Sequence, residues 1–194
     1  MTYLVRVPGA NYNALMEIAV DQYGYVTTED AAAVGVVADR LRTMAKRGLL
    51  ERIAYGLYRV DAVPMVGLEQ YMEATLWPRG GGVLSHDTAL DLHDVCHINP
   101  SKIHVTVRKD LRITRDVPSL LVLHHRDLDE RDLTYHEGIP LVTAARAIRD
   151  CIERYVGTHL IAQAIPNARA RGAITKAEEA ELSRLVGFDR YLTT

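Results

Sequence analysis

No part of the chain restricts its fold as tightly as Val34 to Val60, VGVVADRLRTMAKRGLLERIAYGLYRV. Val37, Leu41, Met44 and Ala45 fall at i, i+4, i+7 and i+8 and therefore share one face of a helix. Asp39, Arg40, Arg42, Thr43, Lys46 and Arg47 fill the other positions and make the opposite face mainly cationic. Gly48 stops the helix where a left-handed residue is wanted. Leu49 to Ile53 and Leu57 to Val60 then read as two strands, turned by Ala54-Tyr55-Gly56, with Gly56 free to take a positive φ.

The residues before this stretch supply a second helix. Thr27-Thr28-Glu29-Asp30 offers a capping box, with Thr27 as N-cap and Asp30 at N3; it opens a short helix from Asp30 to Val34 that breaks at Gly35. Helix, glycine turn, helix and hairpin follow in the order of a winged helix-turn-helix. Between Val36 and Val60 six Lys/Arg stand against two acids, a net +4, whereas residues 1–65 as a whole balance seven bases with seven acids. Positive charge gathered on one helix and hairpin is what a phosphate-facing surface requires. An α-helix fits the major groove, where arginine can bond guanine in bidentate fashion. Arg40, Arg42 and Thr43 are the candidates for base edges, and Lys46, Arg47, Arg52 and Arg59 for phosphates. A basic helix with a merely solvated face would carry the same residues, but the order of elements and the charge bias favour DNA.

Length and charge bound the rest. A chain of 194 residues, 48% hydrophobic, can bury one large or two small cores. Its formal charge of −2 excludes a general polyanion binder, so any nucleic-acid site must be a local patch. Cys96 and Cys151 form no CxxC pair and no disulfide framework. The stretch MTYLVRVPGANYNAL lacks the apolar core of a signal peptide, and no run approaches the roughly 20 apolar residues of a membrane span. The expected location is the cytoplasm, with no membrane contact.

The expected architecture is α+β: a winged helix-turn-helix over residues 1–65, then a mixed α/β domain over residues 66–194 with a helical C-terminus. Residues 1–10 read as an extended arm closed by Pro8-Gly9. Asn11 can cap a first helix to about Tyr23, with Leu15, Ile18 and Ala19 buried, and Tyr25-Val26 can form a short strand. Val66 to Trp77 reads as an amphipathic helix ended by Pro78-Arg79 and the run Gly80-Gly81-Gly82. Ser85 can cap a helix from His86 to Asp94. Ile103 to Val107 alternates as a strand, Leu120 to His124 reads as another, and Leu133 to Val142 as a hairpin turned at Glu137-Gly138. Thr143 caps a helix on which Ala145, Ile148, Ile152 and Tyr155 share a face. His159 to Ala170 is a helix with a kink expected at Pro166, and Thr175 to Glu178 is a second capping box for a last helix to about Val186.

Few residues in the second domain point to chemistry. His86, Asp87, Asp91, His93, Cys96 and His97 crowd together, yet their spacing matches no zinc pattern, and solvated histidines at a helix end are the favoured reading. His124 and His125 would point to opposite faces of a strand and cannot act as a joint site. Neither Glu-x-Lys nor Asp-x-Lys occurs, and GxxxxGK[ST] and GxSxG are absent too. No catalytic residue, metal site or cofactor is therefore expected. Arg108 to Arg115, with four bases and one acid, is a basic loop in a region (66–142) where twelve acids outnumber eight bases. It can be a phosphate or partner contact, or simply a solvated loop.

Several features then come together: the helix-turn-helix, the wing ending Gly56-Leu57-Tyr58-Arg59, the stretch Val83 to Leu90, the Ile103–Val107 strand and PLVTAARAIRD from Pro140 to Asp150. In this order they resemble the AbiEi family of antitoxins from bacterial type IV toxin–antitoxin (abortive infection) systems. The resemblance spans nearly the whole chain and rests on order and spacing. It implies a winged helix that binds inverted repeats in its own promoter and represses the operon. It also implies a C-terminal domain that counters a cognate nucleotidyltransferase-type toxin. The DNA-contacting positions would be Arg40, Arg42, Lys46, Arg47 and Arg52. The acidic surplus of residues 66–142 would suit a basic toxin.

The leading expectation is thus an antitoxin and autorepressor, a monomer off DNA that places two copies on paired half-sites. The alternative is an enzyme, a nuclease or toxin modifier, with a winged-helix adaptor. It would depend on Asp or His within residues 86–97 or 124–136. A winged helix serving only protein contacts is disfavoured by the +4 of the helix and hairpin.

Overall fold

A computed structural model describes residues 9–79, 81–154 and 156–187. Most of the expected N-terminal arm, Gly80 and Tyr155 lie outside the described residues. The protein is α+β and divides into two compact units between residues 79 and 80. Among the described residues no helix is long and apolar enough to cross a membrane.

The first unit holds α1 (Ala10–Asp21), β1 (Tyr25–Thr27), α2 (Thr28–Ala33), α3 (Ala38–Lys46), β2 (Glu51–Ala54), β3 (Leu57–Arg59) and α4 (Glu69–Leu76). Gly9, not Asn11, stands at the N-cap of α1, which buries Leu15 and Ala19 completely. The capping box on α2 is formed in both directions. Thr27 Oγ1 accepts from the Asp30 amide at 3.0 Å, and an Asp30 carboxylate oxygen accepts from the Thr27 amide at 2.9 Å. Gly35, with φ of 77°, makes the turn into α3. This left-handed backbone costs little without a Cβ.

Leu41 and Met44 carry α3 into a core shared with Leu15, Val26, Val36 and Val60. Val37, expected on that buried face, is 66% exposed. It is the N-cap, with extended backbone (φ −70°, ψ 152°), so it lies outside the helical period, and Val36 takes the buried place at 1% exposure. β1 joins the hairpin in an antiparallel sheet of order β1-β3-β2, with both Tyr25 and Glu51 opposite Arg59.

The first unit runs on to Arg79, beyond the expected boundary at residue 65. The Tyr25 hydroxyl donates to Glu73 of α4 at 2.7 Å, and Arg79 pairs with Glu29 at 2.9 Å. Burial raises the Tyr25 pKa, and the Glu73 carboxylate raises it further, so the hydroxyl keeps the proton it donates.

The second unit holds β4 (Val83–Leu84), α5 (His86–Leu92), β5 (Ile103–Val107), β6 (Leu121–His125), β7 (Leu133–His136), β8 (Ile139–Val142), α6 (Ala144–Glu153), α7 (Thr158–Ala170) and α8 (Lys176–Val186). Its strands form a mixed sheet of order β6-β5-β4-β8-β7. β4–β8 and β5–β6 are parallel, and β4–β5 and β7–β8 antiparallel. Glu137 (φ 47°) and Gly138 (φ 84°) supply the two consecutive left-handed residues of a tight β7–β8 turn. The expected one-sided alternation of β5 is not what the fold uses. All five of its residues are buried, because the strand lies inside the sheet and both faces are covered.

α5 packs on β5 and α6, and α6 on α7 and α8. Leu84, Leu90, Leu141, Ile148, Ile161 and Leu182 fill the core between them. Thr143 caps α6 through the Arg146 amide, and the Thr175–Glu178 box opens α8. Ser85 precedes α5 as expected but makes no side-chain cap bond. Its hydroxyl instead accepts from Thr106 Oγ1 at 2.8 Å and lies 2.9 Å from His86 Nδ1.

Candidate functional site

α3 and the β2–β3 hairpin carry the exposed bases Arg40, Arg42, Lys46, Arg47 and Arg52. The stripe of α3 opposite Leu41 and Met44 runs through Asp39, Thr43 and Lys46, with Arg42 and Arg47 beside it. Arg40, Lys46, Arg47 and Arg52 are all exposed. Among the described residues none of the four forms an ion pair or a side-chain hydrogen bond. Arg42 is held by Asp39 one turn earlier, and this exposed pair keeps its guanidinium firmly protonated. Thr43 Oγ1 donates to the Asp39 carbonyl at 2.9 Å and retains its lone pairs as acceptors.

Arg59 is the least exposed of the residues expected to meet phosphates. Its side chain is 13% exposed and donates to Asp61 at 3.3 Å and to the Val63 carbonyl at 3.2 Å. Position on the central strand β3 turns it toward the core-closing segment, where it braces the unit. No local pattern in the sequence links Arg79 to the hairpin, because nineteen residues of chain, 60–78, lie between them. In the fold its guanidinium lies 5.1 Å from the ring centroid of Tyr55 at the hairpin tip. It thereby adds a cation–π contact beside the basic face.

Among the described residues the crowd of His, Asp and Cys over residues 86–97 forms no group of three ligands of its own. His86 is buried at 6% exposure, so the expected solvated histidine is corrected there. His93 Nε2 meets the Val142 carbonyl at 2.8 Å, and only His97 stands exposed. Cys96 and Cys151 are free and buried. Burial pushes the Cys96 thiol up to about 11 and the Cys151 thiol higher still, which leaves both protonated and poor nucleophiles.

His86 meets instead two residues far away in sequence. Its ring stacks on His124 of β6 at a centroid distance of 3.7 Å, and His104 of β5 lies 5.7 Å away. His104 Nδ1 is 3.1 Å from His124 Nε2. Parallel pairing sets Val105 opposite Leu123 and Thr106 opposite His124, which brings His104 and His124 onto one face. His125 points away and is exposed, as expected of adjacent strand residues. Burial lowers the pKa of all three rings, to about 2 for His86 and about 4 for His124, with the neighbouring rings as the next cause for those two. All three are neutral at ordinary pH.

Ser85, His86 and Asp150 do not form a nucleophilic triad. Ser85 Oγ and Asp150 approach the same nitrogen, His86 Nδ1, at 2.9 and 3.9 Å, whereas a relay needs them on opposite nitrogens. Asp150 is 1% exposed and is held by Arg146 Nε at 2.9 Å and Arg126 at 3.0 Å. These bonds make it a structural anchor between α6 and the segment after β6.

The first unit thus presents a basic helix and hairpin on a core built from α1, α2 and α3. Residues 13–60, from within α1 to the end of β3, match the family model for the AbiEi antitoxin transcriptional regulators. Over this stretch the resemblance read in the sequence is met. No curated protein matches the chain.

Proposed function

We propose that this protein is an antitoxin and transcriptional autorepressor. Its first unit acts as a winged helix-turn-helix, with α2 and α3 as the helix pair and the β2–β3 hairpin as the wing. α3 enters the major groove of promoter DNA, where Arg40, Arg42 and Thr43 face base edges, while Lys46, Arg47 and Arg52 meet phosphates. The second unit is the antitoxin domain that counters a nucleotidyltransferase-type toxin. Two copies occupy the halves of an inverted repeat.

One observation carries this reading: Arg40, Lys46, Arg47 and Arg52 are exposed on one helix and its hairpin and form no ion pair among the described residues. Unpaired cations grouped in this way favour a polyanion. The family match over residues 13–60 supports a regulator of antitoxin type.

Fluorescence anisotropy with the DNA upstream of the gene, titrated with salt, tests the proposal. Binding should be selective over random duplex and weaken as salt rises. The triple Arg40→Ala, Arg42→Ala, Lys46→Ala should lose about 100-fold or more, since a good base contact is worth roughly 1–3 kcal/mol and each 1.4 kcal/mol is tenfold. Equal affinity for random and promoter DNA would remove the operator from the proposal.

A further inference from the structure

We propose that His86, His104 and His124 bind one divalent transition-metal ion of the zinc class. The three residues come from three elements: the start of α5, β5 and β6. Each offers a ring nitrogen, and these nitrogens all lie within 4.8 Å of one another. The closest pair, His104 Nδ1 and His124 Nε2, is 3.1 Å apart. Two nitrogens on one tetrahedral zinc, at bonds of about 2.0–2.1 Å, are separated by about 3.3 Å. That edge of the coordination polyhedron is therefore already set.

The hydrogen bonding leaves two donors in competition for one lone pair. Arg154 Nη1 lies 3.2 Å from His124 Nε2, and a guanidinium only donates. His124 Nε2 must then be unprotonated, with His104 Nδ1 directed at the same lone pair. A metal ion would take both nitrogens once the His104 proton has passed from Nδ1 to Nε2 of the same ring, with Arg154, exposed at the edge of the cluster, turning outward. The His86 ring would rotate from its stack on His124 to bring in the third nitrogen.

The surroundings suit such a site. Neutral imidazole is the form that ligates metal. Ser85 Oγ, 2.9 Å from His86 Nδ1 and itself bonded by Thr106, engages that nitrogen and leaves Nε2 as the ligand. Arg126 opposes a cation, but its charge is met by Asp150 and Glu153 at 3.0 and 2.7 Å. His86 also holds a left-handed φ of 54°, uncommon away from glycine, which fits a residue kept in place for its side chain. Three protein nitrogens leave a fourth position for water or for a donor from a partner.

Full-length protein, stripped with a chelator, should be titrated with Co2+ and then Zn2+, in the absence of DNA and toxin. One Co2+ per chain should develop the intense visible absorption of a low-coordinate site, and Zn2+ should displace it. Bound Zn2+ should also raise the unfolding midpoint, as any ligand of the native state does. His104→Gln and His124→Gln should each weaken Zn2+ binding beyond the roughly 10–100-fold that loss of an outer partner costs. His125→Gln, on the other face of β6, should bind as wild type. In the wild-type protein, Zn2+ should move the ring nitrogen resonances of His86, His104 and His124 and leave the other five of the eight histidines in place. This NMR result decides the matter if a glutamine variant fails to fold. Absence of stoichiometric uptake, equal loss in His125→Gln, or shifts at other histidines would each overturn the proposal.

Discussion

Arg40, Arg47 and Arg52 of the first unit stand exposed and form no ion pair among the described residues, whereas Arg126, Arg146 and Arg149 of the second unit each meet a carboxylate within 3.0 Å. The residue type is the same and the use is opposite. In the second unit a guanidinium closes a gap between elements: Arg126 and Arg146 converge on buried Asp150, and Arg149 ties α6 to Glu181 of α8. Arg40, Arg47 and Arg52 make no such closure, and their charge stays available to something outside the chain. Counting basic residues therefore says little. What separates a binding surface from a scaffold is whether the fold supplies the counter-charge.

The contrast can be broken most forcefully at Asp150. Replacing it with alanine leaves Arg146, 11% exposed, without its principal partner. Loss of one member of a buried pair costs about 3–5 kcal/mol, and urea unfolding should place this variant near the lower end because Arg126 is 43% exposed and can rehydrate. A cost under about 1 kcal/mol would show that these ion pairs do not hold the unit together. Leu41→Ala, at a fully buried site under the basic face, should cost about 2–5 kcal/mol and would show how far the surface depends on its core.

Smaller changes sharpen the comparison. Thr27→Ala removes the cap that accepts from the Asp30 amide and should cost about 1 kcal/mol, read as a shift in the urea midpoint. Arg149→Ala, at a partly exposed pair with Glu181, should cost less than about 1 kcal/mol. Lys46→Ala should leave the unfolding midpoint where it was, because the side chain is exposed and meets no acid. Its effect should appear only against DNA, as a drop of about one in the slope of log affinity on log salt. A change in stability with no change in that slope would move Lys46 from the binding surface to the scaffold.

Much of the first unit was legible because its signals are local. The Thr27–Asp30 box, the Gly35 turn and the spacing of Leu41 and Met44 each lie within a few residues, and the fold uses all of them. Val37 was misplaced by one position because the helical period does not say where the helix begins, and an extended N-cap sits outside it. Arg59 looked like its basic neighbours in sequence. Only the pairing of β3 between β1 and β2 decides that its side chain turns to Asp61 and Val63.

The second unit was less legible, for the same physical reason in reverse. β4 has two residues, too short for an alternation, and exists because β5 and β8 flank it. His86, His104 and His124 fit no metal spacing, because their meeting depends on a parallel β5–β6 register and not on chain distance. The sequence by itself determined the helix caps, the glycine turns, the amphipathic faces and the concentration of positive charge on α3 and its hairpin, since these follow from backbone sterics and side-chain period over short range. Tertiary structure alone decided which cations keep a partner and which histidines share a site, since both depend on strands and helices brought together across long loops.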